Sequence, residues 1–301
     1  MDRSDRSWLM SRLTPLLENL QSSQTTILIG TALIVGVGAG VGAIIFRWLI
    51  DTATHVAFTG GSSALAFLGP YYVILIPAIG GLFVGPMIYF FAREAKGHGV
   101  PEVMEAVALR GGRIRPIVVI IKSLASSICI GSGGSVGREG PIVQIGSALG
   151  STIGQWFNLS DDRIRNLVAC GAAGGIAATF NAPIAGVIFA LEVILGDFSA
   201  SYFSTVVIAS VTASEIARLA YGDVPAFIVP SYTLVSPWEF PLYAVLGMLA
   251  ALLGLGLCGR ALPVRGYLRR LEFPGIFKTG GGRAVDRYGR ALLPPNFWRR
   301  L

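Results

Sequence analysis

One carboxylate, Glu139, lies in the richest glycine cluster of the chain, which runs from Gly131 to Pro141. Apolar segments flank this cluster on both sides, so composition places Glu139 within or near a membrane. An ionisable side chain at that depth is costly and usually has a function. Beside main-chain amides its carboxylate takes the place of an anion, and protonation removes the competing charge. The pattern predicts a gate that couples anion movement to pH; the alternative is a structural Arg138–Glu139 ion pair that caps the loop.

Two further clusters interrupt apolar segments, Gly97 to Glu102 and Phe180 to Pro183. Each contains a proline, which suits the first turn of a helix because it has no N–H to leave unpaired. A helix start offers unpaired amides and about half a positive charge, which attract an anion and still release it. Irregular backbone at membrane depth occurs inside protein or beside a water-filled cavity. The three clusters are therefore expected to line one pathway.

The chain is too apolar for a soluble domain of its length. Of its 301 residues 53% are hydrophobic and only 14% are charged, with a mean hydropathy of +0.65. A helix needs roughly 20 residues to cross the hydrocarbon of a bilayer, and residues 26–50, 71–92 and 241–257 approach or exceed that length. Other apolar segments are broken by glycine, proline and polar residues, which predicts short, tilted or interrupted helices; these are 117–130, 141–157, 167–194 and 202–220. We expect an all-α polytopic membrane protein.

The positive charge is concentrated at the end of the chain. Residues 1–258 have 14 Lys and Arg against 15 Asp and Glu, whereas residues 259–301 have 10 against 2. A basic cluster after a span is typical of the cytoplasmic side of a membrane and gives little reason to expect nucleic acid. Residues 1–24 space Arg and Leu as on one helical face, which predicts an interfacial helix and a cytoplasmic N-terminus. Three single cysteines have no disulfide or metal spacing and are expected to be buried packing residues: Cys129, Cys170 and Cys258.

The motifs resemble those of a known family. Gly137-Arg138-Glu139-Gly140-Pro141 resembles the GREGP signature of the CLC chloride channels and chloride/proton transporters. Gly97 to Glu102 resembles the family's GSGIPE segment, and Phe180 to Gly186 resembles the stretch that follows it. The resemblance extends over roughly residues 25–270, with the motifs in family order. It implies a bundle of tilted and interrupted helices that forms the first of two inverted halves.

The resemblance also implies site residues and partners. Glu139 corresponds to the family's gate, and Lys122 to its intramembrane lysine, for which a snorkelling side chain is the alternative. The implied anion-binding residues are Gly97, His98, Gly99, Gly137, Arg138, Glu139 and Gly140. The implied pathway-supporting residues are Pro101, Lys122, Pro141, Phe180, Asn181 and Pro183. We expect chloride and similar small anions, protons at Glu139, membrane lipid and a second copy of the chain as partners, with no metal, cofactor or enzymatic activity.

Two positions depart from the family pattern. His98 stands where many members have a serine whose hydroxyl faces chloride, and an imidazole N–H can still donate a hydrogen bond there. A histidine that merely fills the loop is the alternative. Val193 stands where coupled exchangers often have an inner proton-transferring glutamate, next to Glu192. Valine cannot relay a proton, so passive, voltage-gated-channel-like conduction is expected, unless Glu192 or water takes over.

The Gly-x-Phe-x-Pro motif and inner-site tyrosine of the family's second half do not follow. We expect residues 25–262 to form the transmembrane region and 263–301 a basic tail, out of frame after about residue 278. A non-conducting CLC fragment is the alternative for the chain as written. A nucleotide-binding enzyme is a remote one, since the glycine run from Gly131 has no Gly-Lys-Ser/Thr ending. The expected location is a multi-pass protein of a prokaryotic plasma membrane.

Overall fold

A computed structural model describes residues 3–61, 71–223 and 236–270, which form helices, turns and connecting loops, with no strand in these ranges. The α-helices and the short helical turns follow one another in this order: α1 (Arg3–Thr54), a π-helical turn (His55–Gly60), α2 (Tyr72–Phe91), a 3₁₀ turn (Arg93–Ala95), α3 (Val100–Leu109), α4 (Ile117–Gly131), α5 (Glu139–Trp156), α6 (Asp161–Phe180), α7 (Pro183–Phe189), a second π-helical turn (Ala190–Leu195), α8 (Ala200–Tyr221) and α9 (Glu239–Arg270).

Four stretches within these helices are long and apolar enough to cross a membrane: Thr26–Gly60, Tyr72–Phe91, Tyr202–Tyr221 and Glu239–Leu257. The predicted breaks are seen in the glycine-rich middle of the chain, where α4 to α7 are separate short or medium helices. Residues 202–220 differ from the prediction, because they form one continuous helix. Its hydroxyl groups find partners inside the bundle, as Thr205 does with Asn166 and Ser210 with the Pro183 carbonyl, so they do not interrupt it.

Helix α5 lies at the centre of the bundle, with most of its residues buried. It crosses α6 so closely that an added Cβ on Gly146 would meet the carbonyl oxygen of Gly171, and the reverse also holds. Farther along, Gly150 has the same relation to the Leu167 carbonyl. Helices in lipid associate through such small residues because apolar burial gives them little driving force. These glycines serve helix packing.

Helices α1, α6 and α8 form a second close-packed group. A Cβ on Gly36 would lie 2.7 Å from the Ala209 carbonyl, and one on Gly40 would lie 3.0 Å from the Ala213 carbonyl. Gly174 of α6 fits between Ala39 and Ala213. These contacts join the first span to the helices that carry the polar clusters. The bundle thereby fixes where the loops between its helices can lie.

The two ends of the chain differ from the predicted segments. Helix α1 is continuous from Arg3, so the predicted interfacial helix at residues 1–24 and the first span are one element. Helix α9, in a separate compact unit of residues 227–278, extends to Arg270, past the predicted end of the transmembrane region at 262. The rest of the predicted tail lies outside the described residues. Of the cysteines, Cys170 is buried and Cys129 half-buried, and the Cys258 side chain is not among those described.

We predict that Gly171→Ala lowers the free energy of unfolding by about 1–3 kcal/mol, the usual cost of overpacking a close contact. The new methyl would strike the backbone of α5, which cannot move aside as a side chain can. Gly38→Ala is the control, since its methyl would meet nothing within 4 Å and alanine favours a helix. Reversible unfolding in mixed micelles measures both, and equal stability of the two variants would contradict the role given to the α5–α6 crossing.

Candidate anion site at the starts of α3 and α5

The start of α5 leaves main-chain amides without helical partners. The first helical hydrogen bond runs from the Ile142 amide to the Arg138 carbonyl, at 3.1 Å. The amides of Glu139 and Gly140 precede it, and Pro141 has none to pair. The Glu139 side chain is exposed in this first turn. Glu139 therefore lies where an acid and an anion would compete for the same partial positive charge.

The start of α3 has the same construction. The Val103 amide donates to the Gly99 carbonyl at 3.1 Å, so the amides of Val100 and Glu102 come before the first helical bond. Pro101 occupies the first turn, as predicted. Gly99 has a φ of 100°, a left-handed conformation that side chains rarely adopt. Its amide donates to the Glu102 carboxylate at 2.8 Å, which closes a capping box over the helix start.

These two helix starts are in direct contact. A Cβ added to Gly140 would meet the carbonyl oxygen of His98, and a Cβ added to Gly99 would meet the carbonyl oxygen of Gly140. No residue other than glycine fits at either position without displacing backbone. The structure thus brings together the clusters Gly97 to Glu102 and Gly131 to Pro141.

Lys122 holds the loop at this contact through hydrogen bonds to its main-chain carbonyls. Its side chain is only 3% exposed, and its ammonium donates to the carbonyls of Ala95 and Gly97, both at 2.9 Å. The lysine is turned into the protein and does not snorkel to an interface. Because the Gly97 carbonyl points at Lys122, the N–H of the same peptide unit, which belongs to His98, points to the opposite side. Lys122 therefore sets the direction of an amide in the loop.

The cluster Phe180 to Pro183 is linked to the cluster Gly131 to Pro141 through one side chain. The Arg138 guanidinium lies 5.7 Å from the centre of the Phe180 ring, a cation–π distance. Within the described ranges Arg138 makes no ion pair with Glu139, which counts against the alternative of a capping pair. Arg138 is thus turned towards Phe180, which leaves the Glu139 carboxylate without this partner.

Asn181 has a structural role in the third cluster. It ends α6 in a left-handed conformation, with φ 52°. Its side-chain oxygen accepts from Arg218 at 2.7 Å and its nitrogen donates to Asp223 at 2.7 Å. Since both ends of the amide are engaged, Asn181 holds the turn into Pro183 and α7, and its side chain is not offered to an anion.

The remaining predicted residues lie around these starts. The His98 side chain is exposed, next to the Gly97 loop. Val193 is half-buried and Glu192 exposed on the second π-helical turn, which packs against α3. Single π-turns in α-helices are frequent at functional sites.

Sequence reasoning missed Gln144, and it gave no role to the side chain of Glu102. Gln144 donates to the Glu94 carbonyl at 3.0 Å, and its Cβ packs against Gly99. A polar residue one turn after Pro141, with apolar residues on both sides of it, is the signal that would have found it. Glu102 falls three residues after Gly99, the spacing of a capping box.

Comparison with known proteins identifies the family of this chain. Residues 80–279 match the family of voltage gated chloride channels. The chain belongs to the CLC family. Among relatives, a ClcB-like protein of Ralstonia nicotianae is 33% identical over 75% of this chain and 53% of its own length. Chloride channel protein CLC-e of Arabidopsis thaliana is 34% identical over 79% and 35%, and the H⁺/Cl⁻ exchange transporter ClcA of Vibrio vulnificus (strain YJ016) 34% over 74% and 49%.

Solved CLC structures share the fold. A slow cyanobacterial Cl⁻/H⁺ antiporter superposes with a TM-score of 0.70 at 23% identity, covering 81% of this chain and 58% of that one. A CLC-type fluoride/proton antiporter gives 0.66 at 24% identity, covering 84% and 62%. The predicted all-α CLC-type bundle is confirmed. The chain spans about half the length, or less, of the curated CLC relatives named above.

We predict that Lys122→Met lowers the free energy of unfolding by about 2 kcal/mol or more, because two buried carbonyls lose a charged donor. Methionine keeps most of the volume of the lysine stem, so packing changes little. Ile120→Met on the exposed face of the same helix is the control and should leave stability nearly unchanged. Unfolding in mixed micelles gives both values, and a Lys122→Met variant as stable as the parent chain would show that the loop is held by other contacts.

Proposed function

We propose that this CLC protein moves chloride across a membrane along a path that passes the starts of α3 and α5, with Glu139 as the gate. The observation that carries the proposal is the backbone contact between the His98–Gly99 peptide and Gly140. It places two proline-marked helix starts side by side in a chain with several membrane-crossing stretches. Two sets of partial positive charges at one place attract an anion more than either does alone.

The composition of the site favours passage over tight binding. The full charges next to the loop, Lys122 and Glu102, are opposite in sign and bond the loop backbone themselves. An anion would therefore meet the amides of Gly97 and His98 and those of Gly137 to Gly140, which can replace its hydration and release it. We assign Arg138 to the support of Phe180 and Glu139 to competition with the anion.

The exposed position of Glu139 fits a gate that titrates. Ionised, its carboxylate occupies the amide site, and protonated, it leaves the site to chloride. His98, on the facing loop, carries an imidazole N–H that can donate a hydrogen bond to an anion. Proton coupling beyond this gate is weak in our proposal, because Val193 cannot relay a proton.

The assembly we propose follows the family. The protein acts as a homodimer with a pore in each subunit, each pore made of two inverted halves, in a prokaryotic plasma membrane with the N-terminus in the cytoplasm. The relatives extend beyond the part that this chain covers. A second candidate is therefore a fragment that folds but does not conduct by itself, favoured by the exposed apolar surface of the described helices. We propose no enzymatic role, since the glycine loop opens onto an acid and not onto a phosphate-binding lysine.

We predict that Glu139→Gln weakens the pH dependence of chloride efflux from liposomes and raises the efflux at neutral pH, because the amide keeps the shape of the side chain without the competing charge. The protein should be tested alone and joined to the second half of a CLC relative. Glu105→Gln, an acid of an ion pair with Arg110, is the control. Efflux only from the joined form would identify the chain alone as a fragment, whereas unchanged pH dependence in Glu139→Gln would remove Glu139 as the gate.

We predict that the reversal potential of the joined form follows the chloride gradient and moves little with a proton gradient. Val193→Glu should increase the proton dependence, because it restores a titratable group on the π-helical turn. Val193→Gln is the matched control, with similar size and no proton to transfer. Strong proton dependence of the form with valine would show that another group carries protons.

A further inference from the structure

A small polar cavity lies beside the loop of the proposed anion site. It has a volume of about 50 Å³ and is bounded by the 3₁₀ turn, α3, the loop that follows α3, and α5. Its polar lining consists of Glu94, Glu102, Arg110, Arg113, Arg115 and Gln144. No role has been given to it so far.

One acceptor in this cavity has no partner. Gln144 is 2% exposed, and while its nitrogen donates to the Glu94 carbonyl, its Oε1 receives no hydrogen bond in the described part of the chain. A buried acceptor left unpaired costs roughly 1–3 kcal/mol, and such groups usually have water as partner. The site therefore calls for a hydrogen-bond donor.

The arginines around the cavity have carboxylate partners. Arg110 donates to Glu105 at 2.7 Å, Arg113 to Asp161 at 3.0 Å, and Arg115 to Glu94 at 2.8 Å. The hydrogen bond to Glu94 and the charge of that carboxylate raise the pKa of Arg115.

Charge balance decides which ligand fits. The three arginines and Lys122 face four acids, Glu94, Glu102, Glu105 and Asp161, so the surroundings attract neither an anion nor a cation strongly. A neutral donor remains, and a space of this size holds about one or two water molecules. The arginine side chains are 51–57% exposed, so this wall of the cavity is open to solvent.

We propose that the cavity binds water and that one water donates to Gln144 Oε1. Through this water a proton reaches Glu102 from the loop that follows α3, which carries the three arginines. This route does not involve residue 193. The proton comes from a hydronium in the water-filled space: one O–H bond of the hydronium breaks as one forms on the carboxylate of Glu102. No other bond changes.

Protonation of Glu102 acts directly on the loop. Its carboxylate accepts from the Gly99 amide, so a proton weakens a charge-assisted hydrogen bond and removes a negative charge from the first turn of α3. The charged groups around it are Lys122 on α4, Glu94 on the 3₁₀ turn, the three arginines, His98 on the loop, and the exposed Glu192 on the π-turn against α3. The effect on chloride rests on the proposed function, whereas water binding and protonation do not.

Infrared spectroscopy of the purified chain in detergent tests the proposal. The difference between the parent chain and Glu102→Gln should show a protonated-carboxyl band that grows as pH falls and shifts within the mixing time in D₂O. Glu105→Gln, on the same helix and in an ion pair with Arg110, is the control and should retain the band. Gln144→Leu removes the acceptor, and exchange should then be on the order of tenfold slower or more, since it requires local opening.

Ala106→Leu is a second way to fill the cavity, from α3 and without touching Gln144, and should slow exchange in the same way. The absence of a Glu102 band at every pH where the chain is folded would overturn the proposal, as would exchange that is equally fast in both filled variants. Loss of chloride efflux with the band and its exchange intact would instead overturn the proposed function and leave the water site standing.

Discussion

The site depends on the close approach of two pieces of backbone, the His98–Gly99 peptide and Gly140. Such an approach needs glycine on both sides, and at Gly99 it also needs a left-handed conformation. Neither condition stabilises a chain by itself, so the surroundings must hold the loop. Lys122 bonds its carbonyls and Glu102 bonds its amide. Two charges of opposite sign, the buried Lys122 and the half-buried Glu102, thus fix the geometry of groups that are themselves uncharged.

Local sequence was a good guide where chemistry is local. The prolines Pro101, Pro141 and Pro183 each lie in the first turn of a helix, because a fixed φ and a missing N–H act at the residue itself. The break after Phe180 likewise follows from an asparagine that tolerates the left-handed region. The sequence also predicted a membrane protein, because hydropathy is a sum over residues that are neighbours along the chain.

Sequence was a poor guide where a partner is distant. The polar residues of helix α8 favoured a short, tilted or interrupted helix, yet Thr205 bonds Asn166 and Ser210 bonds the Pro183 carbonyl, each from another helix. The partners of Lys122 are main-chain carbonyls more than twenty positions earlier. Every residue has such a carbonyl, so the sequence does not indicate which ones the lysine bonds. Pairings of this kind depend on how the helices cross, and the crossings are set by glycines whose contacts appear only in three dimensions.

The reciprocal crossing of Gly146 and Gly171 limits how the protein can move. Two backbones in such contact interlock, so α5 cannot slide or roll against α6 without first separating from it. The gate that we propose on the first turn of α5 would then stand on a stationary support, and we expect it to operate by rotation of one side chain. Rotation of one glutamate takes nanoseconds or less, while rearrangement of packed helices takes microseconds or longer. The rate of opening would then reflect how often a proton arrives, and rearrangement of the helices would contribute little to it.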